Sequence, residues 1–515
     1  MEVLPRPTTH EERTGPEMWV DEAIWGHRLH DEQSPWLTVL EFLGVLHAES
    51  TQGRALSEAG LNTLSYRPQI QIRLRNLLFN NPHLATVSRA DSPDDSLWKS
   101  WLELMKQYAG GLDNPDFGYV RERFETFQDF AAVVSFLQSS AIEGGSNKRW
   151  SSKFVFPFGS SALYEDVNVT AKGGIETDRR FFARAGELLY LMLSRSSRVQ
   201  DLRQRLKTRL LNVDAPYDGL VRALQGDPQF AKQERGGAYL PCESHPAFDR
   251  LAGDWLAILD TAIPAYDVVP HLVTMTGLNV ILYQLERANE VLGIHEPITF
   301  LSEIVSPKRS VVRDLSADSF QGNNVLPQQA VERYVRSVTG TEEWQHALAS
   351  EEPYLNAAEL MAKKFDWPDL DDADDRQESP AALVDELTRK ALVRHKQHVG
   401  KVHGTWARLI GLSSRRSSRR IRYAPTDRLL KTLVICCVDR RLEFKDFLSK
   451  LHERYGFVVG DQQARHFIDS GLADQEDFSD NARRLEERLA SLGLLKRLSD
   501  SCAYVENPFQ RTVIS

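Results

Sequence analysis

The chain has 515 residues, 63 Lys and Arg against 72 Asp and Glu for a net charge of −9, and a 42% hydrophobic content that includes 10 Trp and 23 Phe. Such a composition excludes a disordered chain, and the length allows about three or four domains, each able to bury a core. Four cysteines (Cys242, Cys436, Cys437 and Cys502) form no CxxC pair and fit buried thiols in a reducing cytosol.

Met1 to Arg13 holds Pro5, Pro7 and acidic side chains but no apolar core, which argues against a secretory signal. No apolar run is expected to reach the roughly 18 residues of a membrane span, so the expectation is a cytoplasmic protein without a membrane partner. Ser34-Pro35 opens a helix whose apolar band comprises Trp36, Leu37, Leu40, Phe42, Leu43 and Leu46. Tyr119 to Leu137 carries Phe124, Phe127, Phe130, Val133, Val134 and Leu137 at helical period, and Phe181 to Leu193 continues that pattern. These aromatics are read as core rather than as a cofactor box. Between them, Lys153–Phe158 and Tyr164–Val169 read as a small β element, with Pro157 at an edge. Val268 to Leu292 predicts a central buried helix or helix pair.

Asp366 to Pro380 contains seven acidic residues in fifteen, between Pro368 and Pro380, and reads as a solvated linker. It lacks the central Gly and terminal Glu of a calcium loop. A weaker boundary falls at Glu143–Asn147. Residues 381–515 hold 25 Lys and Arg against 17 Asp and Glu, leaving 38 against 55 before them. That asymmetry predicts a separately folded basic module on an acidic body.

Within that module, Asp427 is placed as a cap for a helix carrying Leu429, Leu430, Leu433, Val434 and Cys437. Phe444, Phe447, Leu448 and Leu451 stand at i, i+3, i+4 and i+7, and Gly456 gives a glycine exit. A further helix opens at Ser479-Asp480 with Leu485, Leu489 and Leu492 on one side. Residues 493–498 and 502–505 then pair as two strands, completing a winged-helix plan. The expected fold class is therefore mainly α and multidomain, with a small β element near 153–169 and a C-terminal winged-helix-like module. The expected division is 1–150, 151–365, an acidic linker 366–380, and 381–515.

Arg483, Arg484 and Arg488 face away from the leucine side of the last helix, and Lys496 and Arg497 lie in the first wing strand. Arg415, Arg416, Arg419, Arg420 and Arg422 form a denser group, spaced by serines like a flexible arm. All ten are candidate contacts for DNA phosphates; five neutralised phosphates in the arm would give a salt slope of roughly −4 to −5. The bland alternatives are a solvated face and an arm docked on the chain's own acidic body.

Signs of catalysis are sparse. GxxxxGK[ST], HExxH and GxSxG are absent, and the pairs Gly110-Gly111, Gly144-Gly145 and Gly173-Gly174 lack a phosphate-cradle context. His27 and His30, with Asp31, Glu32 or Glu41, and Cys242 with His245, make half-sites at most, so no metal and no cofactor is expected. A metal-dependent nuclease whose carboxylates come from distant segments stays open as an alternative.

Arg422–Val434, Leu442–Phe444 and Arg454–Gly460 resemble a pattern in accessory proteins of bacterial anti-phage defence islands, such as the methylation-associated defence system. Lys153–Phe158 resembles another block found there. The resemblance implies one antiviral subunit of a multi-gene defence machine. The charge split, the winged-helix plan and the sparse signs of catalysis make it a non-enzymatic one that binds DNA or bridges partners through residues 381–515. Its ATPase, methyltransferase or nuclease would lie on separate chains. A structural adaptor resembling subunits of chromosome-organising ATPase complexes is the remaining alternative.

Overall fold

The computed structural model describes residues 3–6, 15–27, 29–57, 64–71, 77–78, 81–108, 117–139, 159–169, 175–177, 184–212, 218–225, 229–305, 310–368, 379–416, 419–499 and 502–510. The expected blocks at Lys153–Phe158 and Glu143–Asn147, and residues 369–378 of the acidic stretch, lie outside them. Helices dominate. Those that position the site are α1 (Pro16–Trp25), α2 (Pro35–Thr51), α3 (Asp94–Tyr108), α4 (Phe127–Ser139), α5 (Ala185–Ser194), α6 (Pro246–Leu259), α7 (Val269–Leu292) and α8 (Val311–Arg336). They continue with α9 (Pro380–Gln397), α10 (Val402–Leu409), α11 (Asp427–Cys437), α12 (Phe444–Tyr455) and α13 (Gln475–Ser491).

Helix α2 starts as its sequence dictates: the Ser34 side chain accepts the Leu37 N–H, and Pro35 occupies the first turn. Its apolar side, including Val39, Phe42, Leu43 and Leu46, is buried against α5 and α7. Helix α7 is the expected central helix. Gly293 closes it in the left-handed region at φ +72°. By length and hydropathy the segment Ala265–Leu292 would pass as a membrane span, contrary to the expectation that no run approaches that length. Its apolar window is 89% buried within the protein, which is the placement of a core helix.

The expected helical run from Tyr119 to Leu137 is two pieces, Gly118–Arg121 and α4, which starts afresh where Thr126 Oγ1 accepts the Asp129 N–H and the Asp94 carboxylate accepts the Phe127 N–H. Trp98 and Trp101 of α3 pack on Phe127 and Phe130 of α4 in a core separate from that of α2 and α7. Four short strands, β1 (Gln69–Gln71), β2 (Glu165–Val169), β3 (Ile175–Thr177) and β4 (Gln229–Phe230), form a sheet in the order β3-β2-β1-β4. Here the β element expected at 164–169 is present.

Residues 381–515 do not build a core of their own. Leu383, Val384, Leu387 and Ala391 of α9 pack on α1 and α8, and α11 packs on α6 and α7. One hydrophobic core then runs from Val20 and Trp25 through Trp255 to Leu485 and Val505. The buried apolar packing thus crosses residue 381, where the expected basic module begins. Net charge describes the surface; the apolar faces decide what is buried together.

The remaining strands are β5 (Phe300–Leu301), β6 (Ser413–Ser414), β7 (Arg422–Tyr423), β8 (Arg441–Glu443), β9 (Phe457–Val458), β10 (Leu495–Ser499) and β11 (Cys502–Glu506). Strands β5 and β9 pair in parallel, β6 and β7 antiparallel, and β10-β11-β8 form an antiparallel sheet. Two helix starts differ from expectation. Thr426, not Asp427, is the N-cap of α11. Helix α13 begins four residues before Ser479, where Asp474 and Asp477 make a reciprocal capping box.

Candidate nucleic-acid interface

Strands β6 and β7 pair Ser413 with Tyr423 and Ser414 with Arg422, so the arginine-rich segment is a hairpin rather than a free arm. Arg415, Arg416, Arg419 and Arg420 stand exposed at its tip. Arg420 is ion-paired with Asp318 of α8. The Arg416 N–H is held by Ser414 Oγ at 3.0 Å.

Arg422 differs from its neighbours. It is fully buried, its Nε donates to Glu303, and its Nη2 donates to the Arg416 carbonyl at 2.9 Å. Glu303, itself without exposure, also accepts Arg313 Nε at 2.8 Å. Arg422 is therefore corrected from a phosphate contact to an internal anchor: a guanidinium locked to a buried carboxylate cannot reach a ligand outside. Beside it, Tyr423 OH accepts Asn323 Nδ2 at 2.9 Å and lies 2.8 Å from His403 Nε2. His403 Nδ1 lies 3.1 Å from Asn324 Oδ1, so Nδ1–H donates there and Nε2 accepts the Tyr423 hydroxyl proton. Burial pushes His403 down to about 3, keeping the ring neutral.

Helix α13 carries the second group. Arg483 pairs with Asp480 at 2.8 Å, and Arg484 approaches the same carboxylate at 3.8 Å. Arg488 binds Asp427 at 2.6 Å and the Pro425 carbonyl at 3.0 Å. In β10, Arg497 pairs with Glu486 at 2.7 Å, and Lys496 is exposed. All four arginines thus carry acidic partners, but such partly or fully exposed pairs are weak and exchange readily.

The two groups share one support. Asn481 of α13 is buried; its Oδ1 accepts the Ile304 N–H at 2.8 Å, and its Nδ2 donates to the Ser302 and Val459 carbonyls at 2.9 and 3.0 Å. Between them, Glu303 donates its N–H to the Tyr423 carbonyl at 2.9 Å and anchors Arg422. Three consecutive residues, Ser302–Glu303–Ile304, therefore fix the hairpin and α13 to each other. Sequence reasoning missed Glu303 and Asn481. Glu303 shows only as a charged residue in a largely apolar stretch, and the partners that join the two groups, Arg422 for Glu303 and Ser302 and Ile304 for Asn481, lie more than a hundred residues away.

Carboxylates from distant segments do meet in the acidic body. Glu41 of α2, Glu165 of β2 and Glu187 of α5 are all buried. Glu41 accepts the backbone N–H of Arg184 and Gly186 and the amide of Gln33; burial and then the Glu187 charge push it up to about 8. Glu165 pairs with Arg235 at 2.6 Å, and Glu187 with Arg184 at 2.7 Å. Arginines and amides take part of these carboxylates, while Glu165 Oε2 and Glu187 Oε2 are buried without a hydrogen-bond partner. His27 is buried and its Nε2 lies 3.8 Å from Glu187 Oε2. His245 caps α6 by accepting the Ala247 N–H at 3.1 Å.

No curated protein and no solved structure matches the chain. Residues 407–507 match the family model of methylation-associated defense system protein MAD7. That span contains β6, β7 and all ten candidate basic residues, together with the three stretches whose resemblance pointed to defence islands. That match, over its C-terminal part, supports an association of the chain with a defence system.

Proposed function

We propose that this defence subunit is a non-enzymatic cytoplasmic protein that grips double-stranded DNA by its phosphates. The tip of the β6–β7 hairpin makes the first contact, and α13 with the β10–β11 wing lies alongside. The observation that carries the reading is the contrast inside one hairpin. Arg422 is buried as an anchor, while Arg415, Arg416, Arg419 and Arg420 are held outward. A rigid base loses less entropy on binding than a free arm, so each phosphate contact costs less ordering.

The order α11-β8-α12 and then, after β9 and a short helix Arg465–Asp469, α13-β10-β11, with the sheet order β10-β11-β8, supports a winged-helix reading of the second contact, in which α13 would face the groove. The acids on α13 favour backbone positioning over base reading there. Partner chains of the same system would supply any reaction.

The test is a mobility shift on a plasmid-length duplex with the full chain and its Arg415→Ala/Arg416→Ala/Arg419→Ala/Arg420→Ala form. We expect binding by the first and a loss of about tenfold or more in the second. Equal binding by both, or none by either, would remove the DNA reading and leave partner bridging.

A further inference from the structure

We infer that His30, Asp31 and His398 form a site for one divalent transition-metal ion of the zinc type, tying the loop after α1 to the end of α9. This inference is independent of the DNA reading. One ligand atom from each residue lies within 4.8 Å of the others. Asp31 Oδ1 stands 3.6 Å from His30 Nδ1 and 3.6 Å from His398 Nδ1. The two imidazole rings lie against each other, with centroids 4.0 Å apart.

The spacing is wrong for hydrogen bonds and right for a shared ion. An imidazole N–H donating to a carboxylate closes to about 2.8 Å. Two donors each about 2.0–2.1 Å from a tetrahedral ion stand roughly 3.3 Å apart. Asp31 Oδ1 and His398 Nδ1 are both buried and without a hydrogen-bond partner, a costly pair to leave unsatisfied. His30 Nδ1 accepts only a long 3.3 Å bond from the Glu32 N–H, which metal binding there would replace.

Surrounding charges act in both directions. Arg394 of α9 and Glu32 both lie near the pair. Two imidazoles and one carboxylate suit zinc, cobalt or iron and leave a further position for water. His395, one turn earlier, already binds Asp21 of α1 at 2.8 Å, so the ion would extend an existing seam between α1 and α9. The ion's role in this place is a staple: it joins the N-terminal segment to the helix that leads into α10 and the arginine hairpin.

The test uses the tag-free, chelator-stripped full chain. Titration with Zn²⁺ should give one ion per chain, and Co²⁺ should give visible d–d bands of a low-coordinate site. Asp31→Asn preserves shape; it should keep the helical circular-dichroism spectrum and lose at least about tenfold in Zn²⁺ affinity. His398→Ala should do the same, while His346→Ala, at an exposed histidine elsewhere, should bind as wild type. Failure of the wild-type chain to take up either ion would overturn the inference, and so would Asp31→Asn binding undiminished. The wild-type measurements decide even if a variant fails to fold.

Discussion

Glu303 holds two guanidiniums, those of Arg313 and Arg422, away from solvent. Arg422→Ala leaves Glu303 with Arg313 but removes its second partner, the donor to the Arg416 carbonyl and the packing of a fully buried side chain, so it should cost about 2–3 kcal/mol in urea unfolding. Arg415→Ala should change stability by less than about 0.5 kcal/mol in the same assay. Similar values for both would contradict the division into anchor and contact. The adjacent His403 gives a pH signature. Its folded-state value is near 3 against an ordinary 6.5, so between those limits the unfolded chain binds more protons. This contribution is complete above pH 6.5 and is lost as the pH falls towards 3, reaching about 2 kcal/mol by pH 5. His403→Gln should flatten that slope in unfolding curves taken from pH 7 to 5; an unchanged slope would show that His403 is not held neutral. None of this could be read from Arg415 to Arg422. Five arginines look alike in sequence, and the carboxylate that selects Arg422 lies 119 residues earlier.

At the scale of elements, local signals translate well where local physics decides. Ser34-Pro35 starts α2, and the i, i+3, i+4, i+7 pattern of Phe444, Phe447, Leu448 and Leu451 is the buried side of α12. Gly456 ends α12 at φ +76°, and a Cβ there would sit 2.0 Å from the Ile298 carbonyl oxygen. Gly456→Ala should therefore destabilise by well over about 1 kcal/mol, as strain and clash add. A denaturation midpoint equal to wild type would refute that close approach. Local reading failed where a competing partner won. The run expected from Tyr119 to Leu137 breaks where Thr126 and Asp94 hold the start of α4, and the Asp474–Asp477 box starts α13 before Ser479-Asp480. Asp427, expected as a cap, instead receives Arg488.

For the molecule as a whole, the surface charge and the interior follow different divisions. The charge changes sign near residue 381, but the core does not stop there, because α9 covers the apolar sides of α1 and α8. A chain ending at residue 379 should consequently lose cooperative unfolding by circular dichroism, since Trp25, Val331 and Val335 would lose their cover; a sharp, wild-type-like transition would show a self-sufficient body. The basic hairpin is in this sense an outgrowth of the shared core, and its rigidity is a property of the full chain. The proposed attachment to DNA is best judged by the salt dependence of binding. With four arginines on four phosphates, fluorescence anisotropy across a salt series should give a slope of log K against log salt of about −3.6 or steeper. The slope should become shallower by about 3.6 when Arg415, Arg416, Arg419 and Arg420 are all alanine, leaving only the share of α13 and the wing. A salt-independent affinity in the wild-type chain, or an equal slope in the two forms, would contradict the account.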